Sequence, residues 1–338
     1  MSATIRAGLI GLGWLGARHA RHIAAGARGT RAVVASSGER THPVADEIGA
    51  RWTADWTAVV DDPSVDVVVA ALNARTHPAV IEACAAAGKP LFVEKMIALD
   101  VADAVRAVTA AKRAGILVQV GFQRRSDAAY MRAKAAITAG EVGLPVAAFS
   151  CTRDPRGISS VSVDSGGLLL DLMGHDYDAC RWLIGDEPVS VYAEARCLVQ
   201  PELKGQGDFD HARVLISFAD GATGLAEASR FARYGYDIRG EVEGSLGEVE
   251  IFGAETLPYI VRTETTARSE VTPLLRDDWF WNRFRGAFER ELDTFIDAVR
   301  GMAQPAATLD DGLAALRIGT AAIRSVEEGR PILLEELP

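Results

Sequence analysis

Residues 171–178 read Asp-Leu-Met-Gly-His-Asp-Tyr-Asp, and they follow three leucines and the pair Gly166-Gly167. On a helix, Asp171 and His175 are i and i+4, and His175 and Asp178 are i and i+3, so all three would share a face. Such a face suits acid–base work. A histidine titrates near neutrality, and a neighbouring carboxylate orients its ring and tunes its pKa. A merely solvated face fits poorly behind so apolar a run, and zinc normally takes more than the single histidine found here. A second ionisable pair, Glu94-Lys95, closes the apolar stretch Leu91-Phe92-Val93. In doubly wound α/β folds ligands lie at the carboxyl ends of strands, so Lys95 is expected to face a cofactor crevice. His19 and His22 on the first helix, His42 in a loop and His211 before a strand are weaker candidates.

Such residues need elements to hold them. Residues 1–122 alternate short apolar runs with helical patterns, as βαβ units on a parallel sheet do. Strands are expected at 5–10, 32–35, 65–72, 91–93 and 116–120, with helices at 14–25, 77–87 and 100–114. Gly11-Leu12-Gly13-Trp14-Leu15-Gly16 stands where the first strand hands over to the first helix. In that context the spacing indicates a dinucleotide site. The first glycine makes the tight turn, the second lets a pyrophosphate approach the backbone, and the third packs helix on strand. The helix N-terminus then offers amide donors to the phosphates. About twenty positions on, where a carboxylate normally grips the ribose of NAD, the chain has Ser36-Ser37, with Arg40 nearby. Serine hydroxyls and an arginine suit a 2′-phosphate, so the residues lean slightly to NADP over NAD.

Beyond Gly121 the rhythm changes. A helix at 127–139, capped by Ser126, leads into longer alternating strands, with Asp220-Gly221 as a hairpin turn and strand pairs at 213–219/222–229 and 237–244/248–252. Two helices, at 281–300 and 309–328, close the chain. The expected fold class is α/β: an N-terminal Rossmann doubly wound parallel sheet at 1–122, then a C-terminal α+β domain at 123–338 with an open, mostly antiparallel sheet. An open sheet face of that size usually finds a partner subunit, so a homodimer or homotetramer is expected.

Bulk properties exclude other classes. A composition 49% hydrophobic and 24% charged is that of a soluble globular chain, and 338 residues suffice for two cores. A formal net charge of −10 argues against a nucleic-acid partner, and no apolar run is long enough to span a membrane. Cys84, Cys151, Cys180 and Cys197 are scattered, as buried free thiols in a reducing compartment would be. The chain enters a strand pattern at once, so cytoplasmic residence is the expectation.

Taken in order, these segments resemble the glucose–fructose oxidoreductase/inositol dehydrogenase (Gfo/Idh/MocA) family, and within it the inositol 2-dehydrogenases. The stretch Ala-Ala-Gly-Lys-Pro-Leu-Phe-Val-Glu94-Lys95 is similar to the family's strand-end signature, and Gly121-Phe122-Gln123-Arg124-Arg125-Ser126-Asp127 to an inositol-dehydrogenase stretch. Thr152-Arg153-Asp154-Pro155, the segment 166–185, Tyr234-Gly235-Tyr236-Asp237 and Asp278-Trp279 continue the likeness. The resemblance implies a catalytic set of Lys95, Asp171 and His175. It also places Asn73 and His77 beside the cofactor, and with the residues read above the expected cofactor set is Gly11, Gly13, Trp14, Leu15, Gly16, Ser36, Ser37, Arg40, Leu72, Asn73, His77, Glu94, Lys95 and Gln123. Substrate contacts would be Lys95, Gln123, Thr152, Asp154, Asp171, His175 and Tyr234. No metal is implied.

Two positions depart from the pattern: Ser36 stands at the acidic position, and Met96 replaces a proline whose peptide bond is often cis in the family. A non-proline cis bond costs roughly 3 kcal/mol, which leaves that bond's geometry open. The implied activity is NAD(P)-dependent oxidation of a ring hydroxyl of a cyclitol (myo- or scyllo-inositol) or sugar. Rival readings are a dehydrogenase of another sugar (glucose-type or anhydrosugar), a nicotinamide-using glycosidase of the same fold, and a non-enzymatic dinucleotide sensor.

Overall fold

The runs of β-branched and apolar residues in the first 122 positions form six strands: β1 (Ile5–Ile10), β2 (Thr30–Ser36), β3 (Arg51–Thr53), β4 (Val67–Ala70), β5 (Leu91–Glu94) and β6 (Val118–Gly121). All pair in parallel, in the order β3-β2-β1-β4-β5-β6. The structure is a computed structural model describing residues 4–155, 165–232, 236–252, 259–263, 267–270 and 279–338. Every residue of β4, β5 and β6 is buried, as expected where helices cover both faces of a parallel sheet. The helices end where glycine accepts the left-handed conformation: His77–Ala87 at Gly88 and Val101–Ala114 at Gly115. Asp100 caps the latter, accepting from the amides of Ala102 and Asp103. Strand β3 was not expected, since three residues carry no readable period.

By compactness the chain divides into one unit of Met1–Gln123 with Phe288–Leu313 and another of Arg124–Ala287 with Ala314–Pro338. The boundary expected at 122/123 lies one residue before this division's first break, and the division also returns 288–313 to the first unit. That return has an apolar cause. Leu292, Phe295 and Ile296 of the helix Trp279–Val299 are buried in the same core as Leu9, Ile23, Val67, Val69 and Phe92. Each such side chain contributes about 1.5–3 kcal/mol by leaving water.

The second unit holds a nine-stranded sheet of β7 (Pro145–Arg153), β8 (Pro188–Arg196), β9 (His211–Phe218), β10 (Thr223–Ser229), β11 (Asp237–Gly244), β12 (Gly247–Ile251), β13 (Tyr259–Thr263), β14 (Ala267–Glu270) and β15 (Ile332–Leu333). Its order is β14-β13-β12-β11-β7-β10-β9-β8-β15, antiparallel except for β7 beside β10. Helices Ala128–Thr138, Gly174–Ile184 and Leu309–Glu328 belong to this unit or enter it. They cover one face: Gly240 leaves room for Tyr130, Gly224 for Cys180, and Ser325 accepts from the Ala193 amide. Asp127, not the expected Ser126, caps the helix Ala128–Thr138, and its carboxylate also pairs with Arg283. Across the other face, register places Tyr192, Leu215, Leu225 and Phe149 in one row. Tyr192 and Leu215 in that row are exposed.

Candidate active site

In the first unit, the three glycines of the β1–helix turn do three different things. Gly11 has φ +85°, and a Cβ there would lie 2.3 Å from the carbonyl oxygen of Ala71. A Cβ at Gly16 would lie 2.0 Å from the Gly11 carbonyl oxygen, so this glycine sets how closely the helix Trp14–Ala24 approaches the strand. Gly13 is exposed, has an ordinary φ of −68°, and a Cβ there would meet nothing within 4 Å. Clear space in front of a helix N-terminus is what a pyrophosphate requires. The residues therefore fit a dinucleotide.

The other predicted cofactor residues of this unit stand around the same strand ends. Trp14 is exposed with the Arg18 guanidinium 4.0 Å above its ring, Leu15 is half-buried, and Leu72 borders Gly11. Ser36 ends β2, and its carbonyl accepts from the Gly11 amide at 2.8 Å. Its side chain is buried. Ser37 Oγ accepts from Trp52 Nε1 at 3.2 Å, and the His42 ring stacks on Trp52 at 4.3 Å. One of the two hydroxyls invoked for a 2′-phosphate is therefore already engaged. Arg40 is exposed on the short turn Glu39–Thr41. Asn73 turns the chain after β4, its Oδ1 accepting from the Arg75 amide.

Lys95 follows β5 directly and is half-buried. The bond it makes to Met96 is cis although no proline follows, which answers the question the sequence left open. His77 is fully buried, and its Nδ1 donates to the Met96 carbonyl at 2.7 Å. Burial pushes the His77 imidazole below the ordinary histidine range, so it holds this turn as a neutral ring. Gln123 is buried, and its side-chain oxygen accepts from no described residue, an orphan that a ligand donor can satisfy.

In the second unit, the segment singled out for its aspartates is not one helix. Residues Leu168–Leu172 form a wider π-type turn, and the α-helix begins only at Gly174. Asp171 lies on the turn and His175 in the first helical turn, both half-buried. Asp178 does not join them, because its carboxylate takes two hydrogen bonds from Arg125, at 2.6 and 3.0 Å. The expectation is thus corrected in part: the π turn takes Asp171 off the α spacing, while His175 and Asp178 keep i and i+3 and an arginine claims the Asp178 carboxylate.

Asp176 belongs to a fully buried network. Arg124 Nη1 donates to Asp176 at 2.7 Å and to Ser150 at 2.8 Å, while Ser150 and Thr152 each donate to Asp176 at 2.7 Å. Thr152 also accepts from Arg124. Burial opposes the guanidinium charge, but the Asp176 carboxylate more than offsets it and raises the Arg124 pKa. The Thr152 hydroxyl, expected at the substrate, is committed here. Asp154 is buried after β7, and Tyr236 donates to it at 3.1 Å. Tyr236, Arg124 and Asp176 were not singled out by sequence reasoning, although all three stand inside the stretches that carried the resemblance. Tyr234, Gly235 and Asp278 lie outside the described residues.

All four cysteines are free, and burial pushes the Cys151 thiol up to about 11 and the Cys84 thiol to about 12. Among the described residues no helix is long and apolar enough to cross a membrane.

Comparison with known proteins agrees with this geometry. Residues 5–122 match a model of an oxidoreductase family's NAD-binding Rossmann fold, and 137–334 match that family's C-terminal alpha/beta domain. The chain is 36% identical over 339 residues to scyllo-inositol 2-dehydrogenase (NAD(+)) of Bacillus subtilis, covering 99% of this chain and 98% of that one. It is 37% identical to inositol 2-dehydrogenase of Rhizobium meliloti, covering 97% and 99%. A crystal structure of scyllo-inositol dehydrogenase from Lactobacillus casei, with bound NAD(H) and scyllo-inositol, superposes with a TM-score of 0.85 at 27% identity, covering 98% and 99%. The chain belongs to the Gfo/Idh/MocA oxidoreductase family.

Proposed function

We propose that this protein is an inositol 2-dehydrogenase that oxidises a ring hydroxyl of myo- or scyllo-inositol to the ketone. The observation that carries the reading is a likeness to inositol dehydrogenases over 99% and 97% of the chain, in a sequence that keeps the glycine loop, Lys95 and His175. A nicotinamide held here would supply the acceptor for the hydride leaving the carbinol carbon. The amides at the start of the helix Trp14–Ala24 hold the pyrophosphate, and Gly13 admits it. His175 takes the hydroxyl proton at a ring nitrogen as general base. Lys95 hydrogen-bonds the same oxygen and stabilises the negative charge that develops there. Asp171 keeps substrate and imidazole in register. Asp154, with Tyr236 donating to it, offers a carboxylate to the remaining ring hydroxyls, and Gln123 and Tyr234 complete the proposed set, while Thr152 is left to the Arg124–Asp176 network.

NAD is the proposed cofactor. The slight sequence lean to NADP finds no support in relatives named for NAD, and Ser37 is bonded to Trp52. The row of Tyr192, Leu215, Leu225 and Phe149 is the proposed contact for a homodimer or homotetramer, and the three buried thiols suit a reducing cytoplasm. The test is a screen of inositols and common sugars against NAD and NADP in parallel, read by absorbance of the reduced cofactor. Turnover of a hexose with none of any inositol refutes the substrate class. Release of a sugar without net reduction of cofactor refutes the reaction class.

A further inference from the structure

Three ionisable side chains meet inside the first unit, and of these only Glu94 was expected at the cofactor. His19, on the helix Trp14–Ala24, is buried with its ring edge-on to Phe92 at 5.4 Å and to Phe288 at 6.1 Å. Its Nε2 donates to Glu94 Oε1 at 2.8 Å. The other oxygen of Glu94 faces β6 at Gly121, where a Cβ would lie 2.8 Å from it. Glu291, on the helix Trp279–Val299, is 1% exposed, and its ligand atom lies within 4.8 Å of both partners'. Its helix is anchored there, since Gln119 Nε2 donates to the Glu291 carbonyl at 2.6 Å.

Neither side-chain oxygen of Glu291 accepts a hydrogen bond. The nitrogen that faces the cluster is already given to Glu94, and Glu94 is itself an acceptor. A buried carboxyl in those surroundings gains a hydrogen bond only by donating one, which requires a proton. Burial, and after it the Glu94 charge, raises the Glu291 pKa in the same direction. A divalent cation would also neutralise two carboxylates. Among the described residues it would find three protein ligands, all buried, whereas zinc takes four. Protons leave no such shortage.

We propose that Glu291 is a positioning residue, held as a neutral carboxylic acid that donates to Glu94. With His19 on its other side it fixes the Glu94 carboxylate, and with it the strand end from which Lys95 projects. The link to Lys95 rests on the function proposed above; the protonated triad does not. Lys95 and His77 also bear on this strand end, His77 being sensitive to both Glu94 and Lys95.

The experiment uses the full chain and two variants, Glu291→Gln, whose amide can donate in place of the acid, and Glu291→Leu, which cannot. A carboxyl with a raised folded-state pKa binds more protons folded than unfolded above the ordinary carboxylate range, so the parent loses stability as pH rises through that window. Between about pH 6 and about pH 9 the parent's melting temperature should fall roughly 2–4 °C further than that of Glu291→Gln. With NAD and inositol, Glu291→Gln should keep kcat within about twofold, while Glu291→Leu should lose about tenfold or more in kcat with little change in KM. Parallel melting curves against pH for the parent and Glu291→Gln would overturn the proposal. So would a stoichiometric transition metal in the purified parent that Glu291→Gln lacks. If the pH difference appears but no inositol is turned over, the neutral acid stands and the proposed function falls.

Discussion

Replacing Gly13 by alanine separates binding from folding in the nucleotide loop. The backbone there already has φ −68°, and a Cβ would meet nothing within 4 Å, so the folded protein gains no strain. Surface changes of this kind stay within about 0.5 kcal/mol, a melting shift of roughly 2 °C or less. The added methyl occupies the space through which a pyrophosphate reaches the helix amides. Losing one hydrogen bond to a charged group costs about 1.5–3 kcal/mol, or roughly ten- to hundredfold in Kd. Gly16→Ala is the control. Its Cβ would lie 2.0 Å from the Gly11 carbonyl oxygen and 2.9 Å from the carbonyl carbon, backbone atoms that cannot swing aside. Alanine's helix-propensity gain of about 1 kcal/mol is smaller than the overpacking penalty of about 1–3 kcal/mol or more. Differential scanning fluorimetry without cofactor should therefore show Gly13→Ala melting with the parent and Gly16→Ala below it. Fluorescence titration with NADH should show weakened binding by Gly13→Ala. Parent-like affinity in Gly13→Ala would refute the placement of the pyrophosphate, and equal melting of the two variants would refute the packing argument.

Arg124→Met leaves Asp176 buried without its cation and should lose about 3–5 kcal/mol, read by urea denaturation. His175→Ala and Lys95→Met should each lower kcat about 10²–10⁴-fold while NADH titrations stay near the parent; full turnover in either removes it from the mechanism. Tyr236→Phe removes a hydroxyl donor from the Asp154 carboxylate and should raise KM for inositol more than it lowers kcat, by steady-state kinetics. Ser36→Asp should favour NAD further, because a carboxylate grips the ribose hydroxyls and repels a 2′-phosphate; unchanged NAD/NADP ratios of kcat/KM would place the ribose elsewhere.

Much of the first unit was legible because its signals are local. A strand, a glycine-spaced turn and a helix stop at Gly88 or Gly115 can each be read from a few adjacent residues. What sequence missed depends on partners far along the chain. Nothing adjacent to Asp178 shows that Arg125 claims it, and nothing near Thr152 shows that Arg124 and Asp176 engage its hydroxyl. The π turn at Leu168–Leu172 broke a helical spacing that looks regular when written as letters. Ser126 and Asp127 are both good caps by type, and only the fold shows that the Asp127 carboxylate takes the amides of Ala129 and Tyr130 while pairing with Arg283. The return of 288–313 to the first unit is led by Leu292, Phe295 and Ile296, in a helix whose pattern fits any apolar face.

That return has a practical consequence for anyone wishing to cut the gene. A fragment ending near residue 123 would carry all six parallel strands yet strip the cover from Leu9, Val69 and Phe92, baring a greasy patch in place of a finished surface. Such a truncation should aggregate or swap segments with its neighbours. A transplantable nucleotide-binding cassette from this chain needs two pieces of DNA, the second encoding the returning helix.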